Sequence, residues 1–302
     1  MEPILDFHTH AQNVYGRCEV TPWLRPWLKS GFARLYEKTG FHPLIKKMES
    51  SFTLRMIIRE MQCRFAAFGF DDYLAAMARN GVTYSCDLPV EPLTRTRELL
   101  AWTKSHPHVI PFASVDFSSG EDPVAQLRAQ LQAGCRGLKL HPILQNISPR
   151  DERVRALFEY LRDYDYPVLF HTGPMPYFLH VPHHPEYAEP EDVRPLLRDF
   201  PNQTVILGHM GLLANEPALA LANAFRQVYV ELSFQPVAKV RRALQELGSG
   251  RLLLGSDWPA SEPATEIAIV TQATRRDAAA RRKILCENGA ELLRRAGVEL
   301  PA

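Results

Sequence analysis

Eight short β-rich runs, each followed by a stretch of helical periodicity, set the strongest limit on how this 302-residue chain can fold. They are predicted at Ile4–His10, Tyr84–Val90, Val109–Asp116, Cys135–Pro142, Pro167–Gly173, Thr204–Gly211, Val228–Phe234 and Leu252–Pro259. Their first residues are 80, 25, 26, 32, 37, 24 and 24 positions apart. A parallel crossover needs a dozen or more residues, and the last six intervals suit one βα unit each. Eight such units predict a single α/β domain over 1–302, a closed (β/α)8 TIM barrel. The intervening helices carry apolar residues at steps of three and four: Val124, Leu127 and Leu131 in 122–133, then Val154, Leu157, Phe158 and Leu161 in 151–166. A helix is predicted over 263–274, and an extra C-terminal helix over 281–296, ending before Gly297, to close the bottom or side of the barrel.

The 80-residue first interval is too long for one βα unit. It predicts an insert over 11–70, rich in aromatic residues (Trp23, Trp27, Phe32, Phe41, Phe52, Phe65, Phe68, Phe70) and arginines (Arg17, Arg55, Arg59, Arg64). Leaving the C-terminal end of strand one, it emerges on the face where barrel active sites lie. A substrate-covering lid, a structural excursion and a dimer contact are all open readings.

Lys plus Arg number 35 and Asp plus Glu 34, a net charge of +1 that argues against a nucleic-acid or anionic-membrane partner. No apolar run approaches the ~18–20 residues that span a bilayer. The opening MEPILDFHTH has no basic start and no long apolar stretch, so a cytoplasmic location is expected. Five scattered cysteines without a CxxC pair predict reduced thiols.

The chemistry concentrates at strand ends. In Asp6-Phe7-His8-Thr9-His10, strand alternation puts Asp6, His8 and His10 on one side, and Leu5 and Phe7 on the other, toward the helices. Buried polar groups without partners cost several kcal/mol, and a divalent ion satisfies two imidazoles together. Lys139 and His141 in GLKLHP, His171 in FHTG, His209 in GHMG and Asp257 in GSDWP end other strands. In one barrel these ends converge.

These five motifs, in this order, resemble the amidohydrolase superfamily, and in particular the amidohydrolase-related family of metal-dependent hydrolases and decarboxylases such as aminocarboxymuconate-semialdehyde decarboxylase. The closing ILCENGAELL resembles that family's Asn-containing C-terminal segment. The resemblance implies that His8, His10, His171 and Asp257 ligate one divalent metal, zinc first, with manganese or iron as alternatives. It makes His209 an acid, base or oxyanion partner beside the water, and lets Asp257 accept the water proton. Lys139 is open: it could pair with a substrate carboxylate, or in carboxylated form bridge to a second metal held by His171 and His209.

Beyond the ligand set, Lys139, His141, Tyr177 and Trp258 are expected to contact a small-molecule substrate, Trp258 as an apolar wall. His180, His183 and His184 read either as substrate contacts or as a polar surface loop, and Asp87 and Asp116 either as groups that orient ligands or, the favoured reading, as helix caps. The resemblance implies hydrolysis of a small ester, lactone or amide. Its alternative is non-oxidative decarboxylation or hydration of an unsaturated or aromatic acid. A TatD-type nuclease also begins DxHxH, but Lys139 stands where a mid-barrel Glu ligand is expected. A homodimer is expected from the resemblance and the aromatic insert.

Overall fold

The computed structural model describes residues 2–15, 61–175 and 184–300. Eight parallel strands form the barrel: β1 (Leu5–Thr9), β2 (Tyr84–Asp87), β3 (Val109–Pro111), β4 (Leu138–Leu140), β5 (Val168–Phe170), β6 (Val205–Leu207), β7 (Val228–Glu231) and β8 (Leu252–Leu253). Ladders run β1-β2-β3 and β4-β5-β6-β7-β8. Two seams join them: Lys139 donates its amide to Ala113 O (2.8 Å) between β3 and β4, and Asp257 donates to His8 O (2.7 Å) between β8 and β1. The sheet therefore closes into a (β/α)8 TIM barrel.

The main outer helices are α1 (Phe70–Arg79), α2 (Thr96–Thr103), α3 (Pro123–Gln132), α4 (Glu152–Leu161), α5 (Arg194–Asp199), α6 (Asn215–Ala224), α7 (Val237–Leu247) and α8 (Pro263–Ala273). The Asp122 and Asp151 side chains cap α3 and α4 by accepting from Val124 N and Arg153 N. Helix α4 ends at Leu161, short of the predicted Tyr166, once its buried stripe of Val154, Leu157, Phe158 and Leu161 runs out. Val168, Phe170, Val205, Leu207, Val228, Val230 and Leu252 pack outward with the helices.

The predicted last helix is interrupted. Helix α9 (Ala278–Arg282) passes through a π turn at Lys283–Glu287 before α10 (Asn288–Arg295). Buried Asn288 explains the break, because its side-chain amide donates to Ser249 O (2.7 Å) and Leu252 O (2.8 Å) and ties α10 to β8. Ala290, Leu292 and Leu293 of α10 join Leu169, Ile206 and Leu253, the inward residues of β5, β6 and β8, and so close the bottom of the barrel.

Strand β1 departs from simple alternation. Leu5 and Phe7 belong to that same inner cluster instead of facing the outer helices, and Phe7 meets Phe112 edge-on at 5.8 Å. Between Asp6 and Thr9 the register slips: three steps on β1 face two on β2. An extra residue in one strand re-aims the side chains that follow, and here it turns His8 into the lumen above Phe7.

Most of the predicted insert, 16–60, lies outside the described residues, as does Cys18. Residues 61–67 are helical, and Phe65 lies 5.8 Å from the His10 ring and 4.8 Å from Tyr15. Phe70 begins α1. Among the described residues no helix is long and apolar enough to cross a membrane.

Candidate metal centre

Short strands deliver six buried polar side chains to the upper lumen: His8 from β1 and His10 just after it, Lys139 from β4, His209 after β6, Glu231 from β7 and Asp257 after β8. His209 (φ 56°) and Asp257 (φ 54°) both hold left-handed backbone conformations. Non-glycine residues pay for that geometry, on the order of 1–3 kcal/mol each, and it is concentrated at functional sites.

Hydrogen-bond partners fix the ring orientations. His10 Nδ1 donates to Leu88 O at 2.6 Å, so its neutral ring carries the lone pair on Nε2. His8 Nδ1 donates to the Glu231 carboxylate at 2.8 Å, leaving the His8 lone pair on Nε2 as well. Both Nε2 atoms approach the acceptor Asp257 Oδ1, at 3.1 Å from His10 and 3.4 Å from His8. Burial lowers the pKa of both rings and keeps them neutral. Three lone-pair atoms thus converge, beside the Lys139 ammonium, on a point that a cation can occupy. Gaps of 3.1–3.4 Å suit ligands ~2.0–2.2 Å from one ion, and an N,N,O set suits zinc. The residues fit a divalent metal.

Lys139 is wholly buried, and its Nζ lies 3.0 Å from His8 Nε2. Burial pushes its pKa down to about 8, against the pull of Asp257 and Glu231. His171 stands outside the His8, His10 and Asp257 group: its Nδ1 is 3.1 Å from His209 Nε2, and its ring stacks on His141 at 4.0 Å. Of the four implied ligands, the structure brings three together and pairs the fourth with His209. His141 lies within this histidine cluster, accepting at Nδ1 from Leu144 N (3.2 Å).

Trp258 does not line the lumen. Its ring packs with Ala11, Tyr73, Met77 and Val82, 5.2 Å from Phe68 and 5.4 Å from Tyr73, where it fills the space between α1 and the barrel. Tyr177, His180 and His183 lie outside the described residues. His184 is an exposed partner of Glu186 at 2.7 Å. Neither Asp87 nor Asp116 caps a helix. Asp87 accepts from Ala11 N (2.6 Å) beyond β1, where burial raises its pKa to about 7, and Asp116 closes a turn on Ser118.

Glu231 and Ser233 escape sequence reasoning. Glu231 is buried, and burial pushes its pKa up to about 7 against hydrogen bonds that pull it down. A lone acid interrupting the apolar run VYVEL is the available signal.

Residues 51–295 match the family model described as Amidohydrolase. None of the curated proteins matches the chain in sequence. Among solved structures, an uncharacterised TIM-barrel protein from Bordetella bronchiseptica superposes with a TM-score of 0.70 at 20% identity, covering 98% of this chain and 99% of that one. The 2,6-dihydroxybenzoate decarboxylase from Rhizobium gives 0.64 at 16% identity, covering 97% and 99%. A probable 2-pyrone-4,6-dicarboxylic acid hydrolase from Acinetobacter baumannii gives 0.61 at 14% identity, again covering 97% and 99%.

Proposed function

The chain belongs to the amidohydrolase family, and we propose that it is a metal-dependent hydrolase of a small ester, lactone or amide. The observation that carries this reading is the convergence of His8 Nε2, His10 Nε2 and Asp257 Oδ1, three buried lone-pair atoms 3.1–3.4 Å apart through Asp257. These residues would hold one divalent ion, zinc being the best fit to the donor set. Such an ion polarises carbonyl oxygens and brings the pKa of water from 15.7 toward about 7.

The chain's own groups divide the remaining work. The second carboxylate oxygen of Asp257 can take a proton from water. His209 Nδ1 donates to Ser233 Oγ at 2.6 Å, so Nε2 carries a lone pair able to accept a proton and return it to the leaving group. Lys139 can pair with a substrate carboxylate. Phe65 next to His10 limits water at the mouth.

A second reading, non-oxidative decarboxylation of a small aromatic or unsaturated acid, draws on Lys139, a buried cation beside the ligand His8. One experiment separates the two. Metal-loaded protein is offered lactones, esters and amides alongside aromatic carboxylic acids, with acid release and carbon dioxide release both followed. Acid release lost in His8→Ala supports the hydrolase. Carbon dioxide release alone replaces it with the lyase. Two ions per chain with the added mass of a carboxylated Lys139 would overturn the single-metal assignment.

A further inference from the structure

Glu231 lies on β7 and His8 on β1, with β8 between them, yet their side chains meet at 2.8 Å. The carboxylate must pass in front of β8, and the residue it passes is Gly255. A Cβ at Gly255 would lie 2.8 Å from Glu231 Cγ and closer still to its carboxyl. The missing side chain of Gly255 is the space that Glu231 occupies.

At the end of that reach the carboxylate accepts from four donors. Oε2 takes His8 Nδ1 (2.8 Å), the His209 amide (3.0 Å) and the Ser233 hydroxyl (3.0 Å), while Oε1 takes the Ser233 amide (2.5 Å). Glu231, His8 and His209 are close enough to cup an ion of their own. Two of the four donors are backbone N–H groups, however, which cannot turn away, and they make this a setting for an anion, not a cation. With its hydroxyl proton committed to Glu231, Ser233 Oγ must accept from His209 Nδ1 at 2.6 Å.

We propose that Glu231 is the positioning residue of the site: one carboxylate, cleared by Gly255, keeps the proton on Nδ1 of His8 directly and of His209 through Ser233. Both Nε2 lone pairs are then presented to the site from strands that are not neighbours. For His8 this deepens the metal-holding reading of the preceding section and rests on it; the proton positions do not.

The test reads ring tautomers by ¹⁵N NMR on the metal-free protein, and zinc affinity by competition with a chromophoric chelator. The parent should show His8 and His209 each with the proton on Nδ1. Glu231→Ala removes the oxygen that both His8 Nδ1 and the Ser233 hydroxyl donate to, so both rings should lose their single tautomer. Zinc should bind about 10–100-fold more weakly. Gly255→Ala should reproduce this by filling the clearance. Ser233→Ala should free the His209 tautomer and leave that of His8 fixed, an outcome that general loosening of the fold would not give.

Unchanged tautomers in Glu231→Ala overturn the proposal, as does a fixed His209 in Ser233→Ala, which decides the matter if Glu231→Ala does not fold. A parent protein that shows both tautomers but binds no zinc overturns the metal reading alone.

Discussion

His10 Nε2 and Asp257 Oδ1 face each other at 3.1 Å, each presenting a lone pair to the other. The ring cannot turn away without giving up its 2.6 Å hydrogen bond to Leu88 O, and Asp257 is held by the hydrogen bond its backbone N–H donates to His8 O. A cation between them turns repulsion into coordination. The purified protein should therefore hold close to one zinc or similar ion per chain. Chelation should lower Tm, because an ion at 1,000 times its Kd contributes about 4 kcal/mol. Asp257→Asn should lose most of the bound metal by elemental analysis, and full retention would refute the site.

His209 should act on protons and not hold the metal. Its Nδ1–H is committed to Ser233, and its Nε2 lies against His171. His209→Asn should leave metal content unchanged while turnover falls by roughly 10²–10⁴. Metal lost in proportion to activity would make His209 a ligand.

Glu266 should make stability depend on pH. It is buried on α8, where Oε1 accepts from Ser261 Oγ (2.9 Å) and Phe234 N (3.3 Å), and burial raises its pKa well above 4.5. Below that value the carboxyl is protonated in both folded and unfolded chains. As pH rises the unfolded chain ionises first, so stability is lost until the folded carboxyl also titrates. Glu266→Gln removes this loss. Thermal melts should show parent and variant alike in acid, the variant gaining steadily toward neutral pH. A constant difference across the range would contradict the assignment.

Asn288→Ala should destabilise the barrel without touching its chemistry. It deprives Ser249 O and Leu252 O of their side-chain donor, a loss of about 1–3 kcal/mol visible as a lower urea midpoint. Metal content should not change.

The strands were legible because each is a short apolar run at βα spacing, and so were His8, His10, Lys139, His171, His209 and Asp257, polar residues that interrupt or end those runs. What escaped depends on relations between strands. The slip that turns both Phe7 and His8 inward is a property of the β1–β2 ladder and leaves no mark in DFHTH alone. Glu231 reads locally as a strand-end acid. Its role requires knowing that Gly255 stands beside it and His8 beyond. Its place after Asp257 points Trp258 toward the pocket, but the left-handed turn at Asp257 sends the Trp258 side chain behind the sheet, onto Tyr73.

The seam between β8 and β1 has a consequence for when this protein becomes competent. Asp6 Oδ1 accepts from Ser256 N across 250 positions of sequence, and His8 meets Asp257 on the same line. No partial chain that stops short of the eighth strand can bring His8, His10 and Asp257 together, whatever else it has folded. During synthesis, metal loading at the proposed site would have to wait for nearly the whole polypeptide. Once loaded, an ion held by both edges acts as a clasp on a ring, so that strand-one departure and cofactor loss become a single event.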